Sequence, residues 1–255
     1  MKKLIGLALL LAFVAAPAVA QPVGLGPVTE PVGNLEPGFP TAIADTTTTP
    51  ATAVEFGVAG SYRTNGGTWE EALIQVNYGI LDELQLRGTW NVIIGEGRVD
   101  GNFDTVAGLL WVPVLEEDMI PSMGIEISGR APTGLGYTGY DASALGILTK
   151  TFGEARVHLN AGYTTIGDRR SGIRNDADFY ALGMDYVIQD DLILVANAST
   201  EEARWKGVKR IHMIEAGVRS ALTDVDILSF GVGAGLGPGK ATPAFTATVG
   251  YQRAM

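Results

Sequence analysis

ALIQVNYGILDELQLRGTW, residues 72–90, carries two alternating runs on either side of a tight turn. Ala72, Ile74, Val76, Tyr78 and Ile80 alternate with Leu73, Gln75, Asn77 and Gly79. Past residues 81–83, Leu84, Leu86, Gly88 and Trp90 alternate with Gln85, Arg87 and Thr89. A period of two belongs to a strand, and so short a gap folds the two strands into a hairpin. One face is apolar and the other polar, so the fold depends on which of them meets water. In a soluble protein the apolar face packs on a core. The reading here is the reverse: the apolar face meets lipid and the polar face lines a lumen.

The same rhythm continues from Ala53 to the end. Twelve segments carry it, near 53–62, 70–80, 84–94, 103–113, 123–132, 142–151, 155–164, 178–188, 192–200, 211–220, 227–236 and 244–253. Each is about ten residues long, enough to cross a bilayer as a tilted strand. The segments at 103–113 and 142–151 alternate least cleanly. The connections alternate too. Short ones lie at 81–83, 114–122, 152–154, 189–191 and 221–226, and long ones near 63–69, 95–102, 133–141, 165–177, 201–210 and 237–243. The 114–122 connection is the longest of the short set. Short turns on one rim and long loops on the other, with both termini on the short-turn side, are what an outer-membrane barrel requires. The fold expected is therefore all-β: a closed antiparallel transmembrane β-barrel of about 12 strands. Closure matters because lipid offers no partner to the unpaired edge of an open sheet.

The polar parity carries ionised groups of both signs in mid-strand. Arg87, Arg130, Arg156 and Arg219, opposed to Glu55, Glu126, Asp185 and Glu215, are the candidate lumen-lining residues, setting the field and width of the bore. On the apolar parity, Tyr78, Tyr186 and Tyr251 fall toward the short-turn ends, and Tyr62, Trp90, Tyr163 and Tyr180 toward the long-loop ends. Two such belts mark the two membrane–water interfaces. The short turns hold acids and no Lys or Arg, whereas the long loops hold Arg63, Arg98, Arg169, Arg170, Arg174, Arg204, Lys206, Lys209, Arg210 and Lys240. Loops that meet an anionic leaflet or draw in anionic solutes fit this division, and so does ordinary solvated loop charge.

Residues 1–20, MKKLIGLALLLAFVAAPAVA, read as a secretory signal peptide: Lys2 and Lys3, an apolar run, then Ala18-Val19-Ala20. Residues 21–52 form a Pro- and Thr-rich extended leader, either a periplasmic tail or a plug inside the barrel of residues 53–255. The chain has no cysteine, which excludes a disulfide scaffold, a thiolate enzyme and a Cys-ligated zinc domain. Without Lys2 and Lys3 the 18 basic residues become 16 against 28 acidic, a net of −12, so nucleic acid is not an expected partner.

Other chemistry leaves little trace. His158 and His212 lack zinc-ligand spacing, and no G-x-S-x-G elbow occurs. The glycine-rich stretch 235–239 precedes no phosphate-binding helix. Asp100, Asn102 and Asp104 begin a calcium-loop pattern, but Thr105 and Trp111 stand where glycine and the bidentate glutamate belong. No cofactor, metal or catalytic group is expected.

The tail LSFGVGAGLGPGKATPAFTATVGYQRAM, residues 228–255, resembles the final hairpin of bacterial outer-membrane barrels. Thr248, Gly250 and Met255 match that pattern, while Arg253 replaces an aromatic. The pattern of residues 53–255, with its glycine-rich last hairpin and proline-bearing outer loop, resembles the transporter family of the MetA pathway of phenol degradation. The resemblance implies uptake of small organic or aromatic compounds. The expected function is a passive outer-membrane channel for small solutes, with outer-membrane lipid and the barrel-assembly machinery as partners. The alternatives are a non-conducting structural or adhesive barrel and a secreted soluble β-barrel or sandwich that binds a ligand.

Overall fold

The computed structural model describes residues 34–64, 68–95, 104–133, 138–237 and 242–255. Residues 1–20, the expected signal peptide, and 21–33 of the leader lie outside the described residues, as do Asp100 and Asn102. Twelve strands follow one another among the described residues: β1 (Val54–Thr64), β2 (Thr68–Leu81), β3 (Leu84–Gly95), β4 (Asp104–Val114), β5 (Ser122–Ala131), β6 (Asp141–Phe152), β7 (Ala155–Thr165), β8 (Asp176–Gln189), β9 (Leu192–Glu201), β10 (Ile211–Ala221), β11 (Asp226–Gly235) and β12 (Phe245–Ala254). Each pairs antiparallel with its sequence neighbours, and β1 pairs with β12, so the sheet is a closed barrel without an edge. Every boundary lies within two residues of the alternating segment that predicts it. The seam is tied at its end, where Val54 and Met255 exchange main-chain hydrogen bonds at 3.0 and 2.7 Å.

The turns follow local chemistry. Phe152 pairs with Ala155, leaving a two-residue turn in which Gly153 takes a φ of +63°, a conformation L side chains resist. Pro113 has no N–H for the ladder, and the β4–β5 register shifts across it, between Trp111 and Val114. The long 114–122 connection is held by Glu116. Its carboxylate accepts from Lys150 Nζ at 2.8 Å and from the Thr151 main chain and hydroxyl. One expectation is corrected. The ends of the first long loop, at 63–69, belong to the strands, because Thr64–Thr68 and Arg63–Trp69 continue the β1–β2 ladder.

The outward parity is apolar and bare. Leu86, Leu182, Ile127 and Val232 are exposed to 47, 58, 61 and 56 %. Among the described residues no second layer covers them, and an exposed apolar belt of this extent suits hydrocarbon. Most of the buried side chains lie inside the bore, and a smaller group, with Ile166, Asp168 and Ile173, lies in the long loops. Two apolar clusters sit in the bore, one of Leu110, Val112, Ile147 and Ala44, the other of Ile193, Val195, Ala181, Leu35 and Ile43.

Candidate functional site: the occupied bore

The polar parity turns inward along every hairpin. Gln75 and Asn77 on β2, Gln85 and Arg87 on β3, Glu126 on β5, His158 and Asn160 on β7, Asp185 on β8, Asn197 on β9, Arg219 on β10 and Gln252 on β12 are all buried. Buried charges need partners. Arg87 Nη1 binds Glu126 at 2.6 Å. Arg156 forks onto Asp185, with Nη2 at 2.5 Å and Nε at 3.0 Å. His158 bridges Thr149 and Asp185 at 3.1 and 3.2 Å. Glu55 takes Gln252 Nε2 at 2.7 Å, and Glu215 takes Asn197 Nδ2 at 3.2 Å. Arg130 pairs elsewhere than expected. It binds Asp141 at the start of β6, which also takes Arg204 at 2.7 Å from the β9–β10 loop. That group belongs to the long-loop rim, together with Asp168, Arg170 and the Ile173–Trp205 bridge.

These wall groups face an irregular segment of the chain itself. Residues 39–52 run around the inside of the wall and return to β1. The Phe39 ring lies where a Cβ on Gly57 or Gly250 would come within 3 Å of it. Pro40 lies against Gly217 and Gly231, and Ile43 against Gly183. The Ala42 amide donates to Glu215 Oε2 at 3.0 Å. Ala44 and Asn160 exchange two hydrogen bonds, at 2.8 and 2.9 Å. Asp45 binds Arg156 at 3.0 Å. The Thr46 amide donates to Thr149 at 3.3 Å, and the Thr49 amide to Gln85 at 2.6 Å. Thr52 donates to the Gly79 carbonyl at 2.8 Å. Arg219 Nη1 closes on the Phe39 carbonyl at 2.7 Å. The order of partners, β12 and β11 through β7 and β6 to β3 and β2, is one full circuit.

Residues 34–38 cross the middle of that circuit. Asn34 reaches Glu55 at 2.9 Å. Leu35 joins the apolar cluster on β8 and β9, and Glu36 points to β2 and β3. Six strands separate those two walls in a barrel of twelve, so the segment spans opposite sides of the bore. Turn bonds from Gly38 to the Thr41 carbonyl and from Phe39 to the Glu36 carbonyl, at 2.7 and 2.9 Å, join it to the ring.

The lining signal missed by sequence reasoning is of two kinds. Leu110, Val112, Ile147, Ile193 and Val195 occupy inward positions where a wet lumen would want polar groups. Gly57, Gly79, Gly183, Gly217, Gly231 and Gly250 do the same with no side chain at all. Both mark a wall shaped for a covering segment.

The seven aromatics lie on the outward face. Tyr62, Tyr163 and Tyr180 near the long-loop rim are exposed, as are Tyr78 and Tyr186 near the short-turn rim. Trp90 and Tyr251 are half-buried, Trp90 over Gly88 and Tyr251 donating to Asp226. His212 is exposed, and among the described residues no cluster of three or more His, Cys, Asp or Glu could hold a metal ion.

The fold has solved counterparts. A crystal structure of an outer membrane channel from Pseudomonas putida F1 superposes with a TM-score of 0.65 at 15 % identity, covering 87 % of this chain and 100 % of the other. The NanC porin gives 0.61 at 10 % identity over 78 and 98 % of the two chains. The KdgM porin in complex with disordered oligogalacturonate gives 0.51 at 11 % identity over 77 and 98 %. No family model and no curated protein matches the sequence. The chain has the architecture of bacterial outer-membrane barrels.

Proposed function

We propose that this chain is an outer-membrane channel that passes small organic solutes without a catalytic step, its bore narrowed by its own residues 34–52. The observation that carries the reading is the inversion of the faces: ionised and amide side chains inward on a closed wall, bare aliphatic groups outward. A polar bore through an apolar belt is useful for passage, and side-chain charge suffices to select among solutes. The long-loop rim then faces outside, the short turns face the periplasm, and the outward aromatics sit at the two interfaces. The leader fits as a built constriction because glycine seats and inward apolar positions on the wall match it. Barrel-assembly machinery would read β12, where Arg253 faces outward and pairs with Asp226 at 3.2 Å.

Purified protein in planar bilayers should give small ohmic steps, and a variant lacking residues 21–52 should give larger ones. The filled bore also suits a non-conducting structural barrel, and the same experiment separates the two. Folded protein that stays silent both intact and without the leader defeats the channel.

A further inference from the structure

Glu36 is held as a ligand is held. Its Oε1 accepts from Asn77 Nδ2 at 3.1 Å and from Gln85 Nε2 at 3.3 Å, and its Oε2 meets Arg87 Nη2. All three donors belong to the wall strands β2 and β3, and all three are buried. Arg87 is oriented for the purpose, because its Nη1 is already fixed by Glu126 on β5. Two amides and one guanidinium edge converging on two carboxylate oxygens make a carboxylate receptor. Beside Glu36 in the chain, Leu35 belongs to an apolar cluster with Ile43 of the ring and Ala181, Ile193 and Val195 of the opposite wall. A carboxylate site and an aliphatic patch thus face each other across the bore, both occupied by two successive residues of the leader.

Accepting the channel reading on which this rests, we propose that Leu35–Glu36 stands in for the solute, and that the solute class is a small organic acid: one carboxylate with an apolar body. The entering acid takes the Asn77, Gln85 and Arg87 donors, its body takes the Leu35 patch, and residues 34–38 move aside while residues 39–52 stay on the wall. The exchange is balanced in charge, because one carboxylate replaces another and Arg87 never loses its second partner. It is balanced in burial too, because the apolar body takes the place of Leu35 in its cluster with Ile43, Ala181, Ile193 and Val195. The ring has its own attachments, Asn160, Arg156, Gln85 and the glycine seats, so the crossing segment leaves it by breaking a few bonds: Asn34 to Glu55, and the main-chain bonds that tie Leu35, Glu36 and Gly38 to Asp45, Phe39 and Thr41.

The test uses the full chain in planar bilayers, with benzoate as the probe and benzamide as its uncharged counterpart. Benzoate should raise the open time several-fold and carry current, and benzamide should do neither. Glu36→Ala should raise the open time without any solute. Asn77→Ala should cut the benzoate response several-fold. That variant keeps Arg87, so it avoids leaving Glu36 and Glu126 buried without their shared cation, and it keeps Gln85, which holds the Thr49 amide of the ring. Equal responses to benzoate and benzamide overturn the proposal, as does an undiminished benzoate response in Asn77→Ala. Either result leaves the channel standing if chloride current is present. Absence of current from the wild type, Glu36→Ala and the leader deletion alike defeats the channel reading itself.

Discussion

Arg87 divides its guanidinium between two carboxylates, Glu126 on the wall and Glu36 on the leader, in a place with almost no access to water. Such a cation is held by its partners and holds them in turn. Arg87→Ala leaves two buried acids facing each other, and removing one member of a buried ion pair typically costs about 3–5 kcal/mol. Chemical unfolding of the refolded barrel should show a lower midpoint of that order, and Glu36→Gln in the same background should restore part of it by removing one stranded charge. At the long-loop rim the acid is Asp168. Hydrogen bonds from the Arg170 side chain and main chain, at 3.0 and 3.1 Å, hold its carboxyl well below the ordinary aspartate value of 3.8, against the opposing pull of burial. A depressed carboxyl stabilises the fold above the unfolded value and ceases to do so as the pH falls through the folded one. Proteolysis of the 166–175 loop should therefore be flat with pH from neutrality down past 4 and rise only under stronger acid. Asp168→Asn should cleave faster already at neutral pH.

The strands β4 and β6 show why alternation weakens where it does. Their inward positions carry Leu110, Val112 and Ile147, which the leader covers through Ala44. Two apolar faces erase the period of two that identifies a strand with one wet side. The leader itself shows no period, because its conformation is dictated by the wall. Phe39 sits at the junction of β1 and β12 only because Gly57 and Gly250 have no side chains. Gly57→Leu should leave the barrel folded and push Phe39 off its seat. The expected signs are unchanged heat-modifiable gel mobility, faster protease cleavage within residues 34–52, and larger conductance steps. A silent variant with an intact, protease-resistant leader would show that the seat does not hold the ring.

The barrel as a whole is stabilised from outside by hydrocarbon and from inside by the leader. Leu182 lies at mid-height on β8, paired with Leu159 and 58 % exposed. Leu182→Arg should cost about 2–4 kcal/mol in lipid vesicles, the range for a charge on the lipid face near the midplane. The same substitution in a soluble shell would cost little. Equilibrium unfolding in vesicles checks the sign and the size. A cost near zero would mean that this face is wet.

Alternation, segment length and the spacing of turns determine the barrel from sequence alone. A strand's two faces are fixed by covalent geometry, and closure is the only way for a sheet to pair every backbone group in lipid. Hence Arg87, Glu126, Arg156 and Asp185 could be assigned one face from Gln75 and Asn77 onward. Which of them pair could not. Arg130 shares Asp141 with Arg204 rather than binding a mid-strand acid, because register and loop packing bring residues far apart in sequence to one rim. The fate of residues 34–52 was likewise decided only in three dimensions. Their contacts are with glycines, inward aliphatics and polar side chains scattered over all sides of the wall. Those positions carry meaning only once the strands have closed around them.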